Sequence, residues 1–250
     1  MISGIIPISM TSGYLGTLLE TCFVFLILIE QGPLLESHDM EIGVVTGSQA
    51  MNWSHVVVEG KATHAGTTPM VHRKDALACA TRLLQRAYDL GNSIEDGRTT
   101  IGVMNAYPSS HSTVPNRVEM TLDLRHPDEA TLERQIADFD DAAAEENEKG
   151  FVVRRSEFGI AKALSFDKGV TAAIRAAATT SGYRHCDIVS GAGHDATYVS
   201  ETCPTGMIFV PCREGISHHP DESITPEQAH AGVDVLMRTA LELAESAPGP

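Results

Sequence analysis

The hydrophobic positions of this chain change period several times, and each change predicts an element. Cys22 to Ile29 is an unbroken apolar run rich in β-branched and aromatic residues, which reads as a buried strand. Glu30-Gln31-Gly32-Pro33 breaks it at its carboxyl end. From about Ile42 to Phe158 the elements run strand, helix, strand, strand, helix, strand. Val56-Val57-Val58 is extended, and Lys74 to Leu90 places Leu77, Ala80, Leu84 and Ala87 on one helical face. Thr99 to Met104 and Arg117 to Leu124 are extended again, the second alternating at Val118, Met120, Leu122 and Leu124 as a strand with one buried face does. Asp128 to about Glu148 returns to helical spacing, with Leu132, Ile136 and Phe139 opposite a solvated acidic face, and Phe151-Val152-Val153 closes the unit. This β-α-β-β-α-β order is the split, ferredoxin-like arrangement.

From Asp167 the pattern becomes helix, strand, loop, strand, loop, helix, as an α/β layer gives. Thr225-Pro226-Glu227-Gln228 is a capping box with proline at the first helical position, and Val233, Leu236, Ala240 and Leu243 continue one apolar face. Met1 to about Glu20 shows no sustained period and is assigned to no element.

The length, 250 residues with 42% apolar composition, suffices for two modest domains. A net charge of -15 repels phosphate backbones and anionic lipid surfaces, which argues against nucleic-acid and membrane partners. The five cysteines, Cys22, Cys79, Cys186, Cys203 and Cys212, are widely spaced and form no C-x-x-C pair, so a reducing cytoplasm is expected rather than a disulfide framework. The apolar run at Cys22 is too short to cross a bilayer, and the first basic residue is Lys61, so a secretory signal is not expected.

Four segments carry candidate chemistry. His64, in Thr63-His64-Ala65-Gly66-Thr67-Thr68-Pro69-Met70, lies between a strand and a helix, where its imidazole either donates to a developing oxyanion or simply belongs to a capping loop. Arg125, in Asp123-Leu124-Arg125-His126-Pro127, offers a planar fork to a substrate carboxylate, or else pairs with Asp123 or Asp128 at the strand end. Ser190-Gly191-Ala192-Gly193-His194-Asp195 and Gly215-Ile216-Ser217-His218-His219-Pro220 present histidines from loops that follow strands, as metal or substrate sites of α/β sheets do, although His and Asp beside Gly are also ordinary turn chemistry.

Taken in order, Ile29 to Glu36, Thr63 to Met70, Leu122 to Asp128, Ser190 to Ala196 and Gly215 to Glu222 resemble the hydantoinase/carbamoylase amidases. These are the N-carbamoyl-L-amino-acid hydrolases and allantoate amidohydrolases, similar to the aminoacylase-like zinc peptidases. The resemblance implies an α/β fold: the C-terminal part of a metallopeptidase-like catalytic domain, with an inserted ferredoxin-like lid that also dimerises. It assigns residues 1–41 to a catalytic-domain remnant with an unassigned lead-in, 42–158 to the lid, and 159–250 to the C-terminal part of the catalytic domain. It further implies two divalent ions, zinc or manganese, with His218 as a ligand. His64 would stabilise the tetrahedral intermediate, Gln31, Arg125, Gly191, Gly193 and His194 would contact a small N-carbamoyl or ureido substrate, and the lid would form a homodimer.

The chain departs from the family pattern in its donors. The metal-ligating histidine before Glu-Gln-Gly-Pro is replaced by Leu28, an expected asparagine by Ser112, and an arginine of the allantoate-type branch by Asn52. The family's remaining metal ligands and its general base lie in a long segment ahead of Glu30, where this chain has no histidine, no aspartate and only Glu20. One neutral imidazole cannot hold a catalytic ion against water. The expectation is therefore a truncated amidohydrolase, inactive by itself, with a non-catalytic dimerisation or complementing module built on the lid as the alternative.

Overall fold

The computed structural model describes residues 4–8 and 23–246. Most of the unassigned lead-in, residues 1–3 and 9–22, lies outside the described residues. In chain order the strands and helices are β1 (Gly4–Ile8), β2 (Phe23–Ile29), α1 (Leu34–Ser37), β3 (Ile42–Ser48), β4 (Ala50–Glu59), β5 (Thr63–His64), α2 (Ala76–Ser93), β6 (Arg98–Thr100), β7 (Met104–Tyr107), β8 (Thr113–Val114), β9 (Arg117–His126), α3 (Glu129–Glu148), β10 (Val152–Ala161), β11 (Leu164–Ser165), α4 (Lys168–Ser181), β12 (His185–Ser190), α5 (Asp195–Val199), β13 (Thr205–Val210) and α6 (Pro226–Ser246). They form two units, one of residues 49–163 and one of 1–48 with 164–250.

In the 49–163 unit, β4 and β9 pair antiparallel along their whole length, from Ala50 opposite His126 to Glu59 opposite Arg117. β10 lies on the far side of β4, and β6 and β7 lie on the far side of β9, which gives the order β10-β4-β9-β6. The alternation read from the sequence is the pleat itself: Val118, Met120, Leu122 and Leu124 are buried while their neighbours are half-buried. The buried face packs against α2 and α3 through Cys79, Leu83, Leu132 and Phe139. Asp75 caps α2 by accepting from the amides of Leu77 and Ala78, and Asp128 caps α3 by accepting from Thr131 N. Glu146, nearly buried, bonds Arg82 and Lys149 and joins the two helices. The buried Cys79 thiol, pushed up to about 12 chiefly by desolvation, lies beside that carboxylate.

In the other unit the sheet order is β1-β2-β13-β3-β11, with β12 also on β3. β2 and β13 are parallel, β13 and β3 antiparallel, and β3 and β12 parallel. All six residues of β13 are buried, because both faces of the sheet are covered. α4 and α6 cover one face around Phe25, Val44, Ile174, Ile208 and Val235. Leu35 of α1 and Ala196 of α5 pack on the other, with Leu26, Met207 and Phe209. The final helix begins as its capping box requires: Thr225 N donates to Gln228 Oε1 (2.7 Å) and Gln228 N donates to Thr225 Oγ1 (3.2 Å).

The boundary between the units differs from the one expected at Ile42. Residues Ile42–Ser48 belong to the sheet of β13, with Ile42, Val44 and Val45 fully buried. A strand buried on both faces reads as a plain apolar run, so its sequence carries no mark of which sheet it joins. At the other end, β10 runs on to Ala161, beyond the expected Phe158.

Candidate functional site

The 1–48/164–250 unit places two candidate residues on turns that pack together. Parallel pairing ends with Ile29 beside Val210, and Glu30 N donates to Val210 O (2.9 Å). The chain then turns through Gln31, whose φ of 61° is left-handed. The Glu30 carboxylate holds this turn by accepting from Leu34 N (2.8 Å) and Leu35 N (2.7 Å). Beyond β13, Gly215 (φ 66°) seats directly on the same turn, where a Cβ would stand 2.7 Å from Pro33 N and 2.8 Å from Gly32 C. Glycine is required there by the approach as well as by φ. Glu214 N also donates to Glu36 Oε2 (2.7 Å), and His218 follows in an exposed loop at φ 58°. Left-handed backbone at three non-glycine residues, Gln31, Glu214 and His218, is strain of the kind that clusters at functional positions.

Glu222 organises the His218 loop by accepting from Ser217 Oγ (3.2 Å) and His218 N (3.1 Å). Sequence reasoning missed this residue, although a carboxylate four positions after the histidine was the available signal.

Gly191 and Gly193 are exposed in the turn after β12, where Ser190 Oγ donates to Ala192 O (3.0 Å) and accepts from Ala192 N (3.2 Å). His194 turns back over the sheet, its ring 5.7 Å from that of Phe209 and edge-on to it. Phe209 is the register partner of Leu28. Burial lowers the His194 pKa below the usual imidazole range, partly offset by Asp195, so the ring is neutral at pH 7. Its Nε2 is buried and has no hydrogen-bond partner among the described residues.

In the 49–163 unit, β5 pairs with β8 and sets His64 opposite Thr113. His64 Nδ1 accepts from Gly66 N (3.0 Å) and Thr67 N (3.2 Å). Two amide donors on Nδ1 require its lone pair, so the neutral ring carries its proton on Nε2, on an exposed side chain. Arg125 makes the strand-end pair that the sequence left open. Its Nε and Nη2 hold both oxygens of Asp123 (2.7–3.1 Å), and its guanidinium lies 5.8 Å from the Trp53 ring. Asn52 is buried and donates to Glu157 Oε1 (2.7 Å), while Ser112 is exposed beside Ser110.

Among the described residues, no group of three or more His, Cys, Asp or Glu side chains is placed to hold a metal ion. Leu28 contributes only packing, against the Met207 and Phe209 face. The donors among the described residues therefore do not by themselves form a two-metal site. No helix among the described residues is long and apolar enough to cross a membrane.

A mixed sheet with strand-end turns holding Gln31 and His218, and the five ordered motifs, define a protein of the metallopeptidase-like class. The chain belongs to Peptidase family M20/M25/M40, whose sequence model matches residues 9–242. Within that family it is similar to the N-carbamoyl-L-amino-acid amidohydrolase of Rhizobium meliloti, at 37% identity over 219 residues covering 87% of this chain and 53% of that protein. It is also similar to the allantoate amidohydrolase of Bacillus subtilis (strain 168), at 34% identity over 86% of this chain and 53% of that one. The crystal structure of a hydantoinase/carbamoylase family amidase from Burkholderia multivorans superposes with a TM-score of 0.84 at 41% identity, covering 88% of this chain and 54% of that one. The resemblance carried by the motifs is thus the relationship found, and the chain spans about half the length of the curated relatives it matches.

Proposed function

We propose that this chain forms the lid and substrate-contacting part of a metal-dependent hydrolase of linear amide, carbamoyl or ureido C–N bonds, acting on N-carbamoyl amino acids or allantoate-type ureido acids. The observation that carries the reading is the His64 tautomer. With Nδ1 engaged by Gly66 and Thr67, Nε2–H is the free donor, which is what stabilising a developing oxyanion needs. Arg125, paired with Asp123 in the 49–163 unit, is the candidate anchor of the substrate carboxylate, as a guanidinium suits a carboxylate. In the 1–48/164–250 unit the candidate substrate contacts are Gln31, Gly191, Gly193 and His194, and His218 is the candidate metal ligand.

Residues 49–163 serve in this reading as a ferredoxin-like lid through which two copies dimerise, supported by the strand order β10-β4-β9-β6 with both helices on one face. A cytoplasmic location agrees with the unpaired cysteines. The second reading, a non-catalytic dimerisation or complementing module, is favoured by the self-contained core of that unit, with no metal-holding donor group among the described residues.

In this reading the chain by itself hydrolyses no amide, because the described donors do not hold the ions that would activate water. Calorimetric titration with zinc and manganese should therefore show no stoichiometric tight binding, and ammonia release from N-carbamoyl amino acids or allantoate should stay at background. Two bound ions with turnover would overturn the claim. Substrate contact is tested separately by titrating an N-carbamoyl amino acid: Arg125→Ala should weaken binding about tenfold, the loss of a charge-assisted pair. Equal affinity in the variant removes Arg125 from the site.

A further inference from the structure

The outward face of the β10-β4-β9-β6 sheet, opposite α2 and α3, gathers aromatic rings beside cations. Trp53 of β4 stands directly opposite Asp123 of β9, and Arg125 stands opposite Arg98 of β6, so all four side chains leave the sheet on one side. Trp53 lies close over the bulge in β10, where a Cβ on Gly159 would come within 2.8 Å of its Cε3. Its ring is 6.0 Å from that of Phe158, and Phe158 stacks on His55 at 4.3 Å. Phe158 is nonetheless 52% exposed and His55 is exposed, so this cluster presents aromatic surface to solvent.

The cations are out of balance. Asp123 pairs with Arg125, whereas Arg98 forms no ion pair among the described residues and its Nη1 donates to Gly97 O (3.1 Å). Two guanidiniums against one carboxylate leave these opposed positions cationic, in a chain whose net charge is -15. Like charges set directly opposite each other destabilise a strand pair, and a bound anion relieves that repulsion.

We infer that this face is a two-part ligand site, in which Arg98 and Arg125 receive a carboxylate and the Trp53–Phe158–His55 cluster receives an aromatic side chain of the same molecule. The spacing fits a single amino acid. The Arg125 guanidinium is 5.8 Å from the Trp53 ring. The carboxylate and ring of a phenylalanine derivative stand about 5 Å apart, across bonds of about 1.5 Å. The inference rests on the proposed function and narrows its substrate class to N-carbamoyl amino acids with an aromatic side chain, in preference to small ureido acids. It also adds Arg98, which lies outside the motifs, as a carboxylate contact.

Trp53 is the sole tryptophan of the chain, so its emission reports the site directly. The test titrates the full chain with N-carbamoyl-L-phenylalanine and with N-carbamoylglycine, followed by Trp53 emission and by calorimetry. The phenylalanine derivative should change the emission and bind about tenfold more tightly, the gain from covering one ring with others. Phe158→Ala and His55→Ala, with unchanged circular dichroism because both positions are exposed, should each reduce that preference to about threefold or less and leave the glycine derivative unaffected. Arg98→Gln should weaken both compounds alike, by about tenfold. Equal affinities, a preference unmoved by Phe158→Ala and His55→Ala, binding without a change in emission, or indifference to Arg98→Gln each overturn the inference and leave the proposed amidohydrolase reading standing. Binding of neither compound overturns both.

Discussion

The two units bury their sheets differently. In residues 49–163 both helices lie on one face, so β9 alternates buried and half-buried along its length. In the other unit helices lie on both faces, and β13 is buried at every position. One-sided burial writes strand direction and register into the sequence with a period of two, whereas two-sided burial writes only an apolar run. Both units also leave apolar side chains in solvent, the one-faced unit at Val152, Phe158 and Ile160 of β10 and the two-faced unit at Val233, Met237 and Leu241 of α6.

Truncating the central aromatic of each core gives the largest expected effect. Phe139 and Phe209 are both essentially fully buried, so Phe139→Ala and Phe209→Ala should each cost about 3–5 kcal/mol in denaturant unfolding. Hydrogen exchange should localise the first loss to β4, β9 and α3, and the second to β2, β3 and β13. A cost under about 1 kcal/mol for Phe209→Ala, far below the usual range for a close-packed site, would show that the two-faced unit is loosely packed and that openness extends beyond α6.

Acid should act next, and in the one-faced unit. Arg82, Lys149 and the Cys79 thiol hold the Glu146 carboxyl at about 2, below its ordinary 4.5. A depressed carboxylate stabilises the fold fully above its unfolded value, and that contribution is lost as pH falls through the folded one. The window is therefore from about 4.5 down to about 2. Because Arg82 is half exposed, solvent screening reduces the contribution to about 1–3 kcal/mol. Unfolding free energies of wild type and Glu146→Gln should differ by that amount at pH 7 and converge near pH 2. A difference that persists unchanged at low pH would mean the glutamate acts by packing rather than by charge.

The sequence disclosed the elements whose signals are local. Asp128 before the stripe of Leu132, Ile136 and Phe139 located the start of α3, and Thr225 with Gln228 located that of α6. It missed α1 and α5, which at four and five residues are too short to show a period, and it merged β6 with β7 across a break. Of the site, motifs pointed to His64, Arg125 and His218. The amides that fix the His64 tautomer and the Asp123 that pairs with Arg125 are sequence neighbours and lay within those motifs, whereas Phe209 meets His194 only through the fold. Partners fourteen or more residues apart in sequence, such as His194 and Phe209, leave no pattern in the chain.

The smallest predicted effects test whether the contrast between the units stops at tertiary packing. Asp75 accepts from Leu77 N (2.9 Å) and Ala78 N (3.2 Å) at the start of α2, and Asp167 accepts from Val170 N (2.9 Å) at the start of α4. Each satisfies amide groups that the first helical turn leaves free, so Asp75→Ala and Asp167→Ala should each cost about 1 kcal/mol, whichever unit they sit in. Asp75, with two donors, should show the larger loss. Matching values would confine the difference between the units to how their sheets are covered. An Asp167→Ala cost several-fold above that of Asp75→Ala would instead mean that the start of α4 carries more than its cap, and that the two-faced unit depends on local anchors the one-faced unit does without.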